Sequence, residues 1–408
     1  MSLALRFLGL LFASVLLPVA ALDYFLKTDF AGASHNVVVL LIMACAIASF
    51  VSILRFDKFP GSSSVVLILP VIAAWYVVPA LITLLPSYAN YAIYFFVCFV
   101  LCFVYVYIDY NYHEKNRRPV LAYLPMARAS DLSDIKTADW VVMTDPKLPE
   151  RAVEGVVVDL HAPTLSAEWQ KFLAQCALEH MPVYNVRQIR ESLTGRVRIQ
   201  HMYENDLGSL LPSAPYMFIK RLWETSLVLF SMPAVLPVMA LTAVAIKMES
   251  PGPILFLQKR VGQSGKEFTI YKFRSMCRDS EKDGAQFAQV GDMRVTKVGK
   301  FIRKTRIDEL PQFFNIIKGD MSLIGPRPEQ KVFVDRFEGV IPFYSYRHVV
   351  KPGISGWAQV VHGYAADADE TQVKVEYDFY YIKHFSFWLD ILIVFKTIRT
   401  MITGFGAR

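Results

Sequence analysis

Four apolar stretches crowd the first quarter of this chain, at about Phe7 to Leu22, Val37 to Leu54, Val65 to Leu85 and Ala92 to Ile108. Each is near the ~20 residues an α-helix needs to cross hydrocarbon, where a backbone must satisfy its own hydrogen bonds, so four transmembrane helices are expected. The composition agrees: 54% of the 408 residues are hydrophobic and only 19% charged, which excludes a disordered chain and an ordinary soluble one. The first stretch has the length of a signal peptide, but no small-residue cleavage site followed by a soluble domain comes after it, so it too is read as a span. Arg6, Arg55, Lys58, Lys115, Arg117 and Arg118 flank one side and Lys27 alone the other, which places the amino terminus and everything after Ile108 in the cytoplasm. Pro18, Pro70 and Pro79 within the spans are tolerated there. A formal net charge of +7 favours anionic partners, phosphorylated substrates or acidic lipid headgroups. Cys45, Cys98, Cys102, Cys176 and Cys277 form no CxxC pair, so they read as packing residues and not as zinc ligands or a disulfide framework.

From Pro119 to about Leu211 the composition turns globular. Short apolar runs at Trp140 to Met143, Val156 to Leu160 and Val183 to Val186, with a helix-like stretch from Glu168 to Glu179, suggest a small parallel, Rossmann-like α/β module. It has no GxGxxG after a strand and no P-loop, which favours a structural or regulatory role over nucleotide binding. His161, His180 and His201 lack ligand spacing.

Leu222 to Ile246 is long enough to span a membrane, with basic residues at both ends and Glu224 the only charge inside. A single crossing would put the basic region that follows outside the cell, away from activated nucleotides. Pro233 and Pro237 lie mid-segment, and each removes a backbone donor and crowds the preceding turn, so a helix that enters, breaks and returns to the cytoplasmic face is expected; the alternative is a kinked fifth span. Two strands joined at Gly262 to Gly265 follow, then a surface linker from Asp279 to Asp292. Tyr377 to Thr403 is aromatic and aliphatic with Lys383, Asp390 and Thr397 as a narrow polar stripe, which fits either interfacial helices or core packing.

Six basic residues and no acid lie between Arg294 and Arg306, immediately before Asp308 and Glu309. Pro311 is acceptable only in the first turn of a helix, so a helix should begin near Asp308, with that residue near its N-cap. A helix dipole and neighbouring cations would then hold both carboxylates ionised, able to bind a metal or, for one of them, to attack phosphorus. Arg327 stands between Pro326 and Pro328, whose fixed backbone presents one guanidinium fork suited to a phosphate. Gly353 and Gly356 permit tight turns, and Trp357 could stack on a base or sit at the interface.

From Lys220 onward the chain resembles the bacterial sugar transferase family, the monotopic phosphoglycosyl transferases that start glycan assembly on a polyprenyl phosphate. The carriers are KRLWE, the Pro237 break, SPGPILFLQKRVG, YKFRSM, IRKTRIDELPQFFNIIKGDMSLIGPRPE, VKPGISGWAQV and YDFYYIKHFSFWLDI. With the preceding spans and ESLTGRVRI, the whole is similar to the large form of that family, undecaprenyl-phosphate hexose-phosphate transferases of exopolysaccharide or O-antigen initiation. The resemblance implies a membrane protein of α plus α/β class: four spans in residues 1–118, a cytoplasmic cofactor-binding-like module in 119–211, and a catalytic domain in 216–408 with a re-entrant helix and interfacial helices. It implies that Asp308 attacks the sugar-linked phosphate of a UDP-sugar, releasing UMP, and that undecaprenyl phosphate then takes the phosphosugar. Glu309 matches the position assigned to Mg²⁺ (or Mn²⁺), while Lys272, Arg303 and Arg327, with Arg260, Arg274 and Arg306 beside them, match the basic surroundings of the phosphates. The expected partners are a UDP-sugar, undecaprenyl phosphate and membrane lipids, with homodimerisation open and no nucleic acid, at the bacterial inner membrane with the catalytic domain facing the cytoplasm.

Three departures from the family pattern stand out. Leu236 replaces the usual Ser before the helix-breaking proline, Glu224 replaces Asp in KRLWE, and VHGYAADADE stands where many members carry an Asn-Gly-Arg run. Two other classes stay open: a catalytically silent scaffold of a polysaccharide assembly complex, against which the intact Asp308 and Glu309 argue, and a glycosyltransferase that releases UDP.

Overall fold

The computed structural model describes residues 3–26, 33–57, 59–60, 65–113, 118–199, 211–277, 294–362 and 368–403. Lys27, Lys58, Lys115, Arg117, His201, the Asp279 to Asp292 linker, residues 363–367 of VHGYAADADE and the carboxyl-terminal GFGAR lie outside them. Two compact units divide the chain, Met1–Gly195 and Arg196–Arg408.

In the first unit α1 (Leu3–Leu26), α2 (Ala33–Phe56), α3 (Ile68–Ile82) and α4 (Ala92–His113) pack around Leu10, Ile42, Ile72, Tyr94, Cys98 and Cys102, all fully buried. Among the described residues four helices are long and apolar enough to cross a membrane: α1, α2, α4 with the turn before it, and Ala214–Glu249 of the second unit. The third expected span is a helix of 15 residues. With the 3₁₀ turn Val65–Leu67 before it, it rises roughly 28 Å, close to the ~30 Å of a hydrocarbon core. Helix α1 widens into a π-turn over Phe12–Leu16, where the Leu17 N–H donates to the Phe12 carbonyl. The wider register makes room for the ring of Pro18, which would otherwise crowd the carbonyl four residues back. Arg6, read in the sequence as a topology charge, also grips Asp109 near the end of α4 at 2.6 Å, and His113 Nδ1 stands 3.3 Å from the same carboxylate.

The α/β module carries β1 (Val120–Tyr123), β2 (Asp139–Val142), β3 (Gly155–Val158) and β4 (Val183–Asn185) as one parallel sheet in the order β2-β1-β3-β4, with α5 (Ala167–Leu178) and α6 (Val186–Thr194). Val156 and Val158 enter one apolar cluster and Val157 the other, so β3 is a continuous apolar run because both its faces are covered. Strand β1, not anticipated from the sequence, is only four residues long and lies just past the charged stretch 114–118 that ends the last apolar run.

The second unit is built on α7 (Ala214–Glu249), which stays helical through Pro233 and Pro237, so the expected break is not a gap in helical backbone. Each interior proline removes one hydrogen bond and costs ~3 kcal/mol in a soluble helix. Here the two are four residues apart on the exposed side of α7, where the distortions fall together. The opposite side carries a buried stripe of Lys220, Glu224, Val228, Thr242 and Ile246. Val228 and Met232 pack in a cluster with Ile270, Ile316 and Met321, while Met239, Ala243 and Ile246 pack with Phe273, Ile302 and Ile307. Both ends are tied to the same unit: Lys220 to Asp390 at 2.6 Å, and the Glu249 carboxylate to the Val298 N–H at 3.1 Å.

After α7, β5 (Leu255–Val261) and β6 (Glu267–Phe273) form the expected antiparallel hairpin, its turn held by Ser264 and Gly265 at positive φ. Then come α8 (Lys297–Lys304), a 3₁₀ turn Ile307–Gln312, α9 (Phe313–Lys318), β7 (Ser322–Ile324), α10 (Lys331–Glu338), β8 (Gly353–Ser355), α11 (Trp357–Val361), α12 (Ala368–Lys383) and α13 (Phe387–Thr403). The polar stripe on the last two helices resolves toward the core. Asp390 is fully buried and accepts hydrogen bonds from Lys220 Nζ and the Tyr216 and Tyr381 hydroxyls, and Thr397 pairs with Ser355 at 2.6 Å. Trp357 is also a core residue, 1% exposed and stacked on Tyr380, and not a surface for a base or a lipid.

Strands β7 and β8 run parallel, and the backbone closes in behind them. A Cβ on Gly353 would lie 2.1 Å from the Gly325 nitrogen and 2.6 Å from the Ser355 oxygen, both main-chain atoms that cannot turn aside. Gly353→Ala should therefore destabilise this unit by ~1–3 kcal/mol or more through overpacking. Thermal unfolding in detergent measures it, and a midpoint equal to the parent's would refute the tight approach.

Candidate active site

The carboxyl end of β6, the 3₁₀ turn and the segment leaving β7 converge on one carboxylate. Lys272 Nζ lies 3.2 Å from Glu309 Oε1, Arg327 Nη1 3.3 Å and Arg306 Nη1 3.8 Å. Arg306 can turn back because it holds a left-handed conformation (φ 59°, ψ 15°) that reverses the chain between α8 and the 3₁₀ turn. Pro326 and Pro328 hold Arg327 in an extended segment with little freedom to lose.

Asp308 differs from its neighbour. Its Oδ1 is buried with no hydrogen-bond partner among the described residues. Burial first, and then the charge on Glu309, push its carboxyl up to about 6, against the pull of Lys272, Arg306 and Arg327. Burial would raise Glu309 as well, but Lys272, Arg327 and Arg306 together outweigh it and hold that carboxyl at about 2. The expectation that the dipole and the cations depress both acids is therefore corrected for Asp308. It is the second residue of a 3₁₀ turn that has no side-chain cap, not an N-cap, and the three cations spend their field on Glu309. One carboxylate is thus fully ionised and clamped, and the other is poised and free at one oxygen.

Behind this pair lies a ring of charges that sequence spacing did not reveal. Glu329, directly after the Pro-Arg-Pro segment, is held at about 2, where burial would raise it and Lys374, Arg347 and Arg260 lower it. Lys374 Nζ approaches it at 3.0 Å and Arg260 Nη1 at 3.5 Å, and Arg260 also donates to the Pro328 carbonyl. Buried Arg347 donates to the Arg327 carbonyl at 2.9 Å, to Asp378 at 2.8 Å and to the Tyr344 hydroxyl at 2.9 Å. Charge-assisted bonds of this kind are worth ~1.5–3 kcal/mol each, enough to fix the Arg327 backbone. Lys374 and Asp378 lie more than 40 residues from Arg327 in sequence, on α12, and nothing in the local pattern sets them apart from the other charges of that helix, Asp369, Glu370, Glu376 and Lys383.

The structure thus brings together Asp308, Glu309, Lys272, Arg306 and Arg327, with Arg260 one layer behind. Arg274 is placed elsewhere: its guanidinium donates to the Ser250 and Pro251 carbonyls and the Ser250 hydroxyl, closing the end of α7. Arg303 sits in the last turn of α8 without a side-chain partner among the described residues.

The bacterial sugar transferase profile matches residues 215–404, the stretch that holds all of these groups. The chain is 55% identical over 356 residues to the UDP-N-acetylgalactosamine-undecaprenyl-phosphate N-acetylgalactosaminephosphotransferase of Aeromonas hydrophila, covering 87% of this chain and 84% of that protein. The chain belongs to the bacterial sugar transferase family. It is 38% identical over 219 residues to the UDP-glucose:undecaprenyl-phosphate glucose-1-phosphate transferase of Escherichia coli K12, covering 53% of this chain and 46% of that protein. The protein of the same name in Xanthomonas campestris is 41% identical over 191 residues, covering 46% and 39%. This chain therefore spans less than half the length of those two relatives. Its family makes it a phosphoglycosyl transferase, with the family match in the second unit and helices long and apolar enough to cross a membrane in the first.

The two acids give opposite pH signatures. Asp308 binds its proton more tightly in the folded transferase than in the unfolded chain, so ionisation as pH rises through about 6 removes stability. Asn mimics the neutral acid, so Asp308→Asn should raise the melting midpoint at pH 8, by up to ~1–3 kcal/mol of stability, and leave it unchanged at pH 4. Glu309 has the reverse sign, its stabilisation present above pH ~4.5 and lost as pH falls toward 2, so Glu309→Gln should melt lower at pH 7. Differential scanning fluorimetry across pH tests both, and a destabilised Asp308→Asn at pH 8 would remove the strain assigned to this carboxylate.

Proposed function

We propose that this transferase moves a sugar 1-phosphate from a UDP-sugar to undecaprenyl phosphate at the cytoplasmic face of the bacterial inner membrane, through a phosphosugar carried on Asp308. The observation that carries the reading is the buried Oδ1 of Asp308, without a hydrogen-bond partner among the described residues, beside a glutamate held by three cations. A carboxyl near 6 is mostly ionised at neutral pH while its desolvation keeps it reactive. Asp308 Oδ1 attacks the phosphorus that bears the sugar. The bond from that phosphorus to the bridging oxygen breaks, UMP leaves with its electron pair, and an acyl phosphosugar remains. An oxygen of undecaprenyl phosphate attacks the same phosphorus, displaces the aspartate carboxylate and forms undecaprenyl diphosphate sugar. Lys272, Arg306 and Arg327 offset the charge that gathers on the equatorial oxygens, and Arg347 with Asp378 keeps Arg327 in place.

A divalent cation fits this acid pair. No group of three or more His, Cys, Asp or Glu gathers among the described residues, but all three cations make their nearest approach at Glu309 Oε1 and not at its second oxygen. Mg²⁺ is commonly held by one or two carboxylates together with substrate phosphates and water, so Glu309 with Asp308 beside it would hold it. Bound there it would neutralise diphosphate charge.

The 55% identity to a transferase named for N-acetylgalactosamine supports UDP-N-acetylgalactosamine as the donor. The test mixes full-length protein with UDP-N-acetylgalactosamine or UDP-glucose and Mg²⁺, without lipid acceptor, and reads intact mass and released nucleotide. The parent should gain the mass of an N-acetylhexosamine phosphate and release UMP, not UDP. Asp308→Asn should do neither, and Glu309→Gln should recover part of its activity as Mg²⁺ is raised. An Asp308→Asn protein that still acquires the adduct would place the nucleophile elsewhere.

We further propose that residues 1–118 cross the membrane, that 119–211 form a cytoplasmic structural or regulatory module, and that α7 dips into the bilayer and returns. Val228 and Ile246 are 18 residues apart, ~27 Å of straight helix, yet their clusters include Ile270 and Phe273, only ~10 Å apart on β6. Both prolines lie on the exposed side, where the opened backbone folds the two arms toward the body. In a Cys277→Ser background, Phe218→Cys and Met248→Cys should both be shielded from an impermeant thiol reagent in intact cells. Labelling of position 248 alone would mean a true span.

A further inference from the structure

A second convergence of positive charge lies away from the acid pair. Gly319 ends α9 in a left-handed conformation (φ +88°), its N–H donating to the Asn315 and Ile316 carbonyls. A Cβ built on it would lie 3.1 Å from Arg221 Nη2 and 3.5 Å from Lys351 Nζ. Two cations from distant elements, the first turns of α7 and the loop before β8, thus point at one spot. Neither forms an ion pair among the described residues. Of the acids that act on Lys351, Glu224 is taken by Lys220, Ser322 and the Ile324 N–H, and Asp320 stands beyond pairing distance. Burial and then Arg221 push the Lys351 ammonium down, which is the signature of a charge that lacks its counter-ion.

The surroundings are apolar and open. Phe218, Ile219 and Leu222 on either side of Arg221 are 66%, 55% and 54% exposed, and Phe314 and Ile317 of α9 are 41% and 37% exposed. A free anion has no use for such a collar, whereas a lipid does: its phosphate meets the cations and its chains cover the apolar side chains. Gly319 is ten residues past Glu309, roughly 17 Å along the 3₁₀ turn and α9, too far for a phosphate held there to be the one that reacts.

We infer that Arg221 and Lys351 form a binding site for the phosphate of an anionic phospholipid, separate from the reacting centre, where α7 enters the membrane. The inference takes α7 as lying in the bilayer, and UMP release reports on the acid pair independently of lipid retention, so failure of one reading is distinguishable from failure of the other.

The test is native mass spectrometry of the detergent-solubilised full chain with dioctanoyl phosphatidylglycerol, dioctanoyl phosphatidylcholine or inorganic phosphate at equal concentration. The parent should retain phosphatidylglycerol over phosphatidylcholine, and Arg221→Gln/Lys351→Gln should lose about tenfold in that retention while still releasing UMP in detergent. Should the double variant fail to fold, the parent and Arg221→Lys decide: the parent's phosphatidylglycerol adduct should fall steeply as salt rises, and Arg221→Lys should keep it. Equal retention by parent and folded variant, retention insensitive to salt, or displacement of the lipid by equimolar inorganic phosphate would each overturn the site.

Discussion

Glu309 Oε1 is the atom on which the catalytic unit turns. A strand, a 3₁₀ turn and a proline-bounded segment each deliver one cation to it, and none of the three could sit so close to the others without that negative charge between them. Its depth strengthens each attraction and makes loss of the carboxylate severe, since three buried or half-buried cations would then face one another. Asp308 is left as the remainder of this arrangement. The field that keeps its neighbour ionised is largely spent there, so an acid one residue away stays poorly compensated. A clamped glutamate and a strained aspartate are two results of one placement.

The glutamate also organises what stands behind it. Arg327 reaches Glu309 with its side chain while its main-chain carbonyl is held by Arg347, and the next acid, Glu329, is gripped by Lys374 and Arg260. Along this path the charges alternate: Arg327 stands between Glu309 and the Glu329 region, and Glu329 in turn lies between Lys374 and Arg260. Apolar packing of α12 and α13 supplies the rigid backing, with Phe379, Tyr380, Tyr381, Leu389, Leu392 and Ile393 nearly inaccessible.

Much of this was legible in the sequence, and the limits of legibility are physical. The apolar helices, the hairpin, three of four module strands and the acid pair announce themselves through local pattern: apolar runs, alternation, and a proline that only a first turn tolerates. Asp308, Glu309, Lys272, Arg306 and Arg327 do meet. What local pattern cannot convey is how a field divides among neighbours, so the raised Asp308 carboxyl was missed, and Arg274 was grouped with the phosphate-facing cations when its fork closes the end of α7. Arg347, Asp378 and Lys374 escaped notice because their partners lie 20 to 45 residues away. The polar stripe of the last helices was ambiguous for the opposite reason. Asp390 and Thr397 have the spacing of an interfacial face, and only their buried partners show that it points inward.

Helix α7 is keyed to its unit by a lysine shared between two carboxylates, Glu224 on the same helix and Asp390 on α13. Such a key sets rotation as well as attachment. One residue added or removed between Lys220 and Val228 would turn the rest of the helix by ~100°, carrying the buried stripe out of its packing and the prolines off the exposed side. This helix should therefore accept many changes of side chain on its outer face and almost no change of length, so its history of variation is expected to be one of substitution without insertion.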